Sequence, residues 1–159
     1  IVPGNVSAWA EANINQDPAA SDLMFRRARD VTMVGLDVTL QTLLTYEDTA
    51  KWRELGTEAA TKLADITDYY IKAYETTAPY LGRCRRHGPL AFGVADDESL
   101  VDLLPVNMKV DTEGETRGRT IGDEERLSEK DKTARVAVGV DAERFLAELM
   151  ERIGRVLAD

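Results

Sequence analysis

The sequence predicts an α/β fold, a mixed sheet with flanking helices and a β-hairpin, in a single domain over residues 1–159. Three observations predict it. Apolar, β-branched runs alternate with helical runs along the chain. Two short extended runs flank Gly114 and read as a hairpin. The balance of 43% hydrophobic and 31% charged residues in 159 positions is that of a globular chain with one core.

Ile1-Val2 reads as the end of a buried strand running into the turn at Pro3-Gly4-Asn5. It is not a translation start, so an upstream part is expected to be missing; a removed tag or propeptide would give the same opening. Asp17-Pro18 starts a helix, with Asp as the cap and Pro in the first turn, running through Leu23, Met24 and Ala28. Val31 to Thr39 (VTMVGLDVT) reads as one buried strand, with Gly35 marking a close backbone approach. Thr45-Tyr46-Glu47-Asp48 resembles a capping box and starts a short helix ending near Gly56.

A long helix follows, roughly Glu58 to Glu75, with Leu63, Ile66, Tyr70 and Tyr74 on one stripe and Pro79 past its end. Gly82 to Gly88 reads as a loop, and Pro89 opens another apolar helix. Val106 to Glu113 and Arg117 to Ile121 form the hairpin strands. Glu124 to Lys132 is a charged, solvated loop, and Ala134 to Val140 is a strand. Asp141 caps a final amphipathic helix carrying Phe145, Leu149, Ile153 and Val156. So few strands leave the sheet incomplete, and exposed apolar surface is expected.

The chain carries 29 acidic and 20 basic side chains, a net charge of −9. That balance repels phosphate backbones and argues against a nucleic-acid partner. No apolar run reaches bilayer length, so no membrane partner is expected, and no signal peptide opens the chain. Cys84 is alone, which excludes an intrachain disulfide and suits a reducing cytoplasm. No glycine-rich phosphate loop, CxxC, HExxH or nucleophile elbow is present.

Four clusters could carry chemistry. Asn5, Glu11 and Asn13 combine a carboxylate with two amides, a set that can hold sugar hydroxyls or simply form a polar turn and cap. His87 is the only histidine and could act as a general acid, or sit on the surface of a basic loop. The neighbouring arginines disfavour its cationic form. Tyr70 and Tyr74, one helical turn apart, could stack on a flat base or serve helix packing. Asp111, Glu113, Glu115 and Asp123 suggest calcium superficially. They fail the EF-hand spacing and read as a polar hairpin.

GNVSAWAEANINQDPAA (Gly4 to Ala20), VTMVGLDVT (Val31 to Thr39), RHGPLA (Arg86 to Ala91), VDTEGETRGRT (Val110 to Thr120) and VAVGVDAERF (Val136 to Phe145) resemble, in order and spacing, the inosine–uridine-type nucleoside hydrolases. The resemblance covers essentially the whole chain and places it as the C-terminal portion. It implies hydrolysis of a ribonucleoside to ribose and a free base, with calcium in the complete enzyme held by an aspartate cluster. By that resemblance Asn5 and Glu11 match residues on the ribose 5′-hydroxyl, and Asn13 an amide on the ring hydroxyls. His87 matches the histidine proposed to protonate the leaving base in some members, and Tyr70 and Tyr74 match aromatics near the base.

Two departures stand against these matches. The family's D-x-D-x-G-x-D-D motif occurs nowhere in the sequence, and Gly88 replaces the aspartate that follows the histidine. Losing hard oxygen ligands removes calcium affinity, so no calcium is expected on this chain alone. The expected function is therefore ribonucleoside hydrolysis by the complete enzyme, with the isolated chain inactive. The alternative is a non-catalytic, truncated homologue serving as an oligomerisation or binding module. An acidic α/β protein docking others through its terminal helix is a third reading. Self-association, or union with a missing N-terminal part, is the expected partnership.

Overall fold

The computed structural model describes residues 2–77, 84–85 and 87–158; the side chains of 74–77, 84–85 and 87 lie outside the description. The first elements are α1 (Ala12–Gln16), α2 (Pro18–Arg27), β1 (Val31–Met33), α3 (Leu36–Thr39) and β2 (Leu43–Leu44). Then follow α4 (Tyr46–Arg53), α5 (Glu58–Thr77), β3 (Cys84–Arg85) and α6 (His87–Asp96). The remainder is a 3-10 turn (Glu98–Leu100), β4 (Val101–Val106), β5 (Met108–Val110), β6 (Thr120–Gly122), β7 (Ala134–Val140) and α7 (Ala142–Ala158). These elements sort into two compact units, Ile1–Val38 with Val101–Val140, and Thr39–Leu100 with Asp141–Asp159. Among the described residues no helix is long and apolar enough to cross a membrane.

The first unit holds a mixed sheet in the order β1-β7-β4, with β1 parallel and β4 antiparallel to β7. The strand read at Ala134 to Val140 is β7. Beside it, β4 carries no strand in the sequence reading, because Asp102 and Pro105 interrupt its alternation. It lies at the sheet edge, where a proline is tolerated. The hairpin is present as β5 paired with β6, shorter than the runs read from sequence, and Val106 belongs to β4. Phe25, Met108, Val110 and Ala134 form the buried centre, packed against Ile14, Val31, Met33, Val106 and Val136.

Helix α2 begins as the Asp-Pro pair demands: Ala20 N–H donates to Asp17 Oδ1 at 2.9 Å, and Pro18 occupies the first turn. Asp22 of α2 accepts the Val110 N–H at 2.9 Å, joining the helix to the hairpin. The 124–132 loop is charged as read, yet it is tethered. Buried Asn107 donates to the Arg126 and Asp131 carbonyls at 3.0 and 3.2 Å, and accepts from Thr133 N–H at 2.9 Å.

Two expectations in this unit are corrected. Val2 is exposed and lies outside any strand. The chain curls on itself there, with Val6 N–H donating to the Ala10 carbonyl at 3.2 Å. Val31 to Thr39 is not one strand. The extended run stops at Met33, and Leu36 to Thr39 is helical. The Leu36 N–H has a carboxylate acceptor, Glu11 Oε1 at 2.9 Å, in place of a ladder partner.

In the second unit, Leu44, Trp52, Ala60, Ala64 and Leu157 make the buried centre. The capping box of α4 is complete, with Thr45 N–H donating to Asp48 Oδ2 at 3.0 Å and Thr45 Oγ1 accepting from Asp48 N–H. The stripe read on α5 holds at Leu63, which packs against this centre, and is corrected at Ile66 and Tyr70; the Tyr74 side chain lies outside the described residues. Ile66 and Tyr70 are 57% and 53% exposed, and the helix buries Ala60, Ala64, Thr67 and Ile71 instead. On α7 Phe145 is buried as read, but Leu157 takes the buried place assigned to Val156. Asp141 caps α7 through the Arg144 N–H at 3.0 Å. Cys84–Arg85, read as loop, pairs antiparallel with β2, and α6 begins at His87, before Pro89. Pro79 lies outside the described residues. Phe92 and Val156 in this unit, and Leu104 and Val138 on the sheet of the first, are exposed apolar side chains.

Candidate functional site

The site is built on one small side chain. Ala10 is fully buried, and two glycines from distant segments close on it. A Cβ on Gly4 would lie 2.1 Å from the Ala10 carbonyl oxygen. A Cβ on Gly118, whose φ is +86°, would lie 2.8 Å from the Ala10 Cβ. Only glycine permits both approaches. Ser7 Oγ accepts from the Ala10 N–H at 3.0 Å, and Asn5 Oδ1 accepts from the Ala12 N–H at 2.8 Å. The loop from Gly4 to Ala12 is thereby held on both sides of Glu11.

Glu11 opens onto a cavity of about 500 Å³ within the first unit. Gly4, Trp9, Asp37, Arg119 and Thr120 contribute to its walls, with Met33, Met108 and Val136 as apolar surface. Burial pushes the Glu11 carboxyl above its ordinary range; the Leu36 N–H bond opposes the shift, and the charge of Asp37 adds to it. Among the described residues, only Oε1 of Glu11 is engaged by hydrogen bonding. Two carboxylates thus face one concave space, one of them short of hydrogen-bond donors. At the wall the Arg119 guanidinium lies over the Trp9 indole, 5.2 Å from the ring centroid.

Of the residues singled out from sequence, Glu11 lines this cavity. Asn5 is exposed, and its amide oxygen is occupied at the start of α1. Asn13 is exposed on α1 and is not a wall residue. Tyr70 belongs to the second unit, where its ring meets Tyr69 edge-to-face at 6.2 Å. Tyr74 and His87 fall in α5 and α6, and their side chains lie outside the described residues. Asp37, Trp9 and Arg119 were missed. Asp37 was hidden inside a segment read as strand. Trp9 offered the one visible signal, a large aromatic within an otherwise small and polar motif.

The family resemblance raises calcium, and the described residues do not fit it. Among them no three His, Cys, Asp or Glu side chains converge where a metal ion could be held. Glu11 and Asp37 supply a pair of carboxylates. Gly88 supplies no side-chain oxygen, although a Cβ there would meet nothing within 4 Å.

Comparison with known proteins bears directly on this site. The family model for inosine-uridine preferring nucleoside hydrolases matches residues 1–147. The inosine-uridine preferring nucleoside hydrolase of Leishmania major is 34% identical over 155 residues, covering 95% of this chain and 49% of that protein. A solved purine-preferring ribonucleoside hydrolase from Gardnerella vaginalis is 63% identical, with a TM-score of 0.94 over 99% of this chain and 49% of that one. A plant nucleoside hydrolase is 29% identical, with a TM-score of 0.84 over 96% of this chain and 50% of that one. The chain spans about half the length of the curated relatives it matches. It belongs to the inosine-uridine preferring nucleoside hydrolase family.

Proposed function

We propose that this chain supplies the ribose-facing part of a ribonucleoside hydrolase. The reaction is hydrolysis of the N-glycosidic bond, giving ribose and a free nucleobase. The observation that carries the reading is Glu11, a half-buried carboxylate fixed by the Leu36 N–H beside Asp37 on one cavity. A carboxylate held this way accepts a hydrogen bond from a sugar hydroxyl. Two carboxylates together also favour the positive charge that develops on the sugar ring as the glycosidic bond breaks.

Asn5 and Asn13 sit on the same loop and helix and are proposed to contribute amide contacts to the sugar. His87 is proposed to protonate the leaving base, and Tyr70 and Tyr74 to stand near it. Calcium belongs, in this reading, to the complete enzyme, with ligands this chain lacks. Purine ribonucleosides are the first substrates to test, because the Gardnerella relative prefers purines.

The test is calorimetric titration of ribose, inosine and uridine into the wild-type chain and Glu11→Gln. Binding to the wild type that weakens at least tenfold in the variant, about 1.4 kcal/mol, supports the reading. Equal binding by both proteins, or none by the wild type, removes it.

A further inference from the structure

We infer that Trp9, braced by Arg119, is the platform on which the ribosyl group rests, and so determines which sugars the cavity accepts. The inference depends on the cavity being the sugar site proposed above. Trp9 lies on its wall and is 49% exposed, although an indole is among the side chains most readily buried. Arg119 covers one face of the ring, so the platform is the part of the indole that Arg119 leaves open to the cavity. Glu11 and Asp37 offer acceptors for hydroxyl groups in the same cavity. What a carboxylate pair lacks is a surface for the carbon-bound hydrogens of a sugar ring. An indole face provides it: flat, apolar and electron-rich.

Arg119 completes the platform. It stands over the indole at 5.2 Å from the centroid. Among the described residues it makes no ion pair, in a chain whose net charge is −9. Arg27, Arg29 and Arg117 share that property, whereas Arg26, Arg53, Arg126, Arg135, Arg144, Arg152 and Arg155 reach carboxylates; what sets Arg119 apart is its place over the Trp9 ring. A cation held on an aromatic face keeps its N–H groups available to donate. The cavity then presents acceptors from Glu11 and Asp37 and a donor from Arg119, the complement of a hydroxyl that both gives and takes hydrogen bonds. Among the wall residues one guanidinium stands with two carboxyl groups, so no surplus of cations is present to hold a phosphate. The ligand class is therefore a neutral pentosyl group, and a phosphorylated sugar is disfavoured.

The chain carries its own reporter. It has two tryptophans, and the other, Trp52, is 2% exposed in the second unit. The experiment titrates ribose and ribose 5-phosphate into the wild type, Trp9→Ala, Trp9→Phe and Arg119→Met, following tryptophan emission and calorimetric heat together. Ribose is expected to change the emission of the wild type and to bind more tightly than ribose 5-phosphate. Trp9→Phe should keep ribose affinity within about threefold while its emission no longer responds. Trp9→Ala should bind about tenfold more weakly, and Arg119→Met should weaken binding in the same direction. If ribose binds calorimetrically, with Glu11→Gln impairing it, and Trp9→Ala matches the wild type, the platform is overturned and the sugar site stands. If the wild type binds no ribose or nucleoside by either readout, both fail.

Discussion

Glu11 is the residue at which function and stability pull apart. Burial raises its carboxyl above the ordinary value of 4.5, so the fold prefers the protonated form. Its favourable contribution is fully present below pH 4.5 and is lost as pH rises through the raised value. Glu11→Gln keeps an acceptor for the Leu36 N–H and removes the charge. Thermal melts should show the variant gaining on the wild type from pH 4 to pH 7, at about 2–4 °C per kcal/mol; a gap that shrinks toward pH 7 would contradict this. Asp123 poses the opposite problem. Its side chain is 0% exposed, with Oδ2 3.2 Å from Arg26 Nη1 and no hydrogen bond to either oxygen. Arg26→Met should cost about 3 kcal/mol in chemical denaturation, because it strands a buried charge. Adding Asp123→Asn to that variant should recover part of the loss, and no recovery would show that the packing of Arg26 matters more. The sequence made Glu11 visible because a carboxylate between two asparagines is a conspicuous set. It hid Asp37, whose place beside Glu11 depends on a turn that local apolar patterning does not encode.

Among the elements, those set by near neighbours were legible. The Asp17 cap and the Thr45–Asp48 box each close within three residues, so their chemistry is written in one stretch of chain. For Asp48, burial raises the carboxyl, but the bonds from Thr45 and Lys51 outweigh it and leave it lowered. That stabilisation is present above pH 3.8 and is lost as pH falls through the lowered value. The change from β1 to α3 was not legible, since it rests on a carboxylate 25 residues away. Nor was the buried stripe of α5, where Ala60 and Ala64 pack into the core and the larger Ile66 and Tyr70 remain outside. A hydrophobicity count favours the larger side chains, whereas close packing here selects the small ones. The Ala10 clamp joins two motifs more than a hundred residues apart. Gly118→Ala combines a strained positive φ with a 2.8 Å approach to the Ala10 Cβ. It should cost about 2 kcal/mol or more and weaken ribose binding along with it. A variant with wild-type melting and binding would show that the clamp does not position Glu11.

For the whole molecule, the decisive fact is that the curated relatives are about twice as long as the stretch matched here. The family resemblance puts the missing aspartate motif in that other half. The chain alone should therefore release no ribose from inosine or uridine, with or without calcium, in a reducing-sugar assay. Calcium-dependent release by the 159 residues would reverse the expectation. Each unit is also assembled from two separated stretches, and the polypeptide passes from one to the other after Val38, after Leu100 and after Val140. The segment bearing Glu11 is translated before Gly118 and the central strand β7, which come in the second stretch of its unit. On a translating ribosome the nascent chain cannot close Ala10 between its two glycines until the second stretch has emerged. Until then a sequence dense in apolar residues waits without its central strand, a period of exposure in which chaperone engagement or aggregation competes with folding.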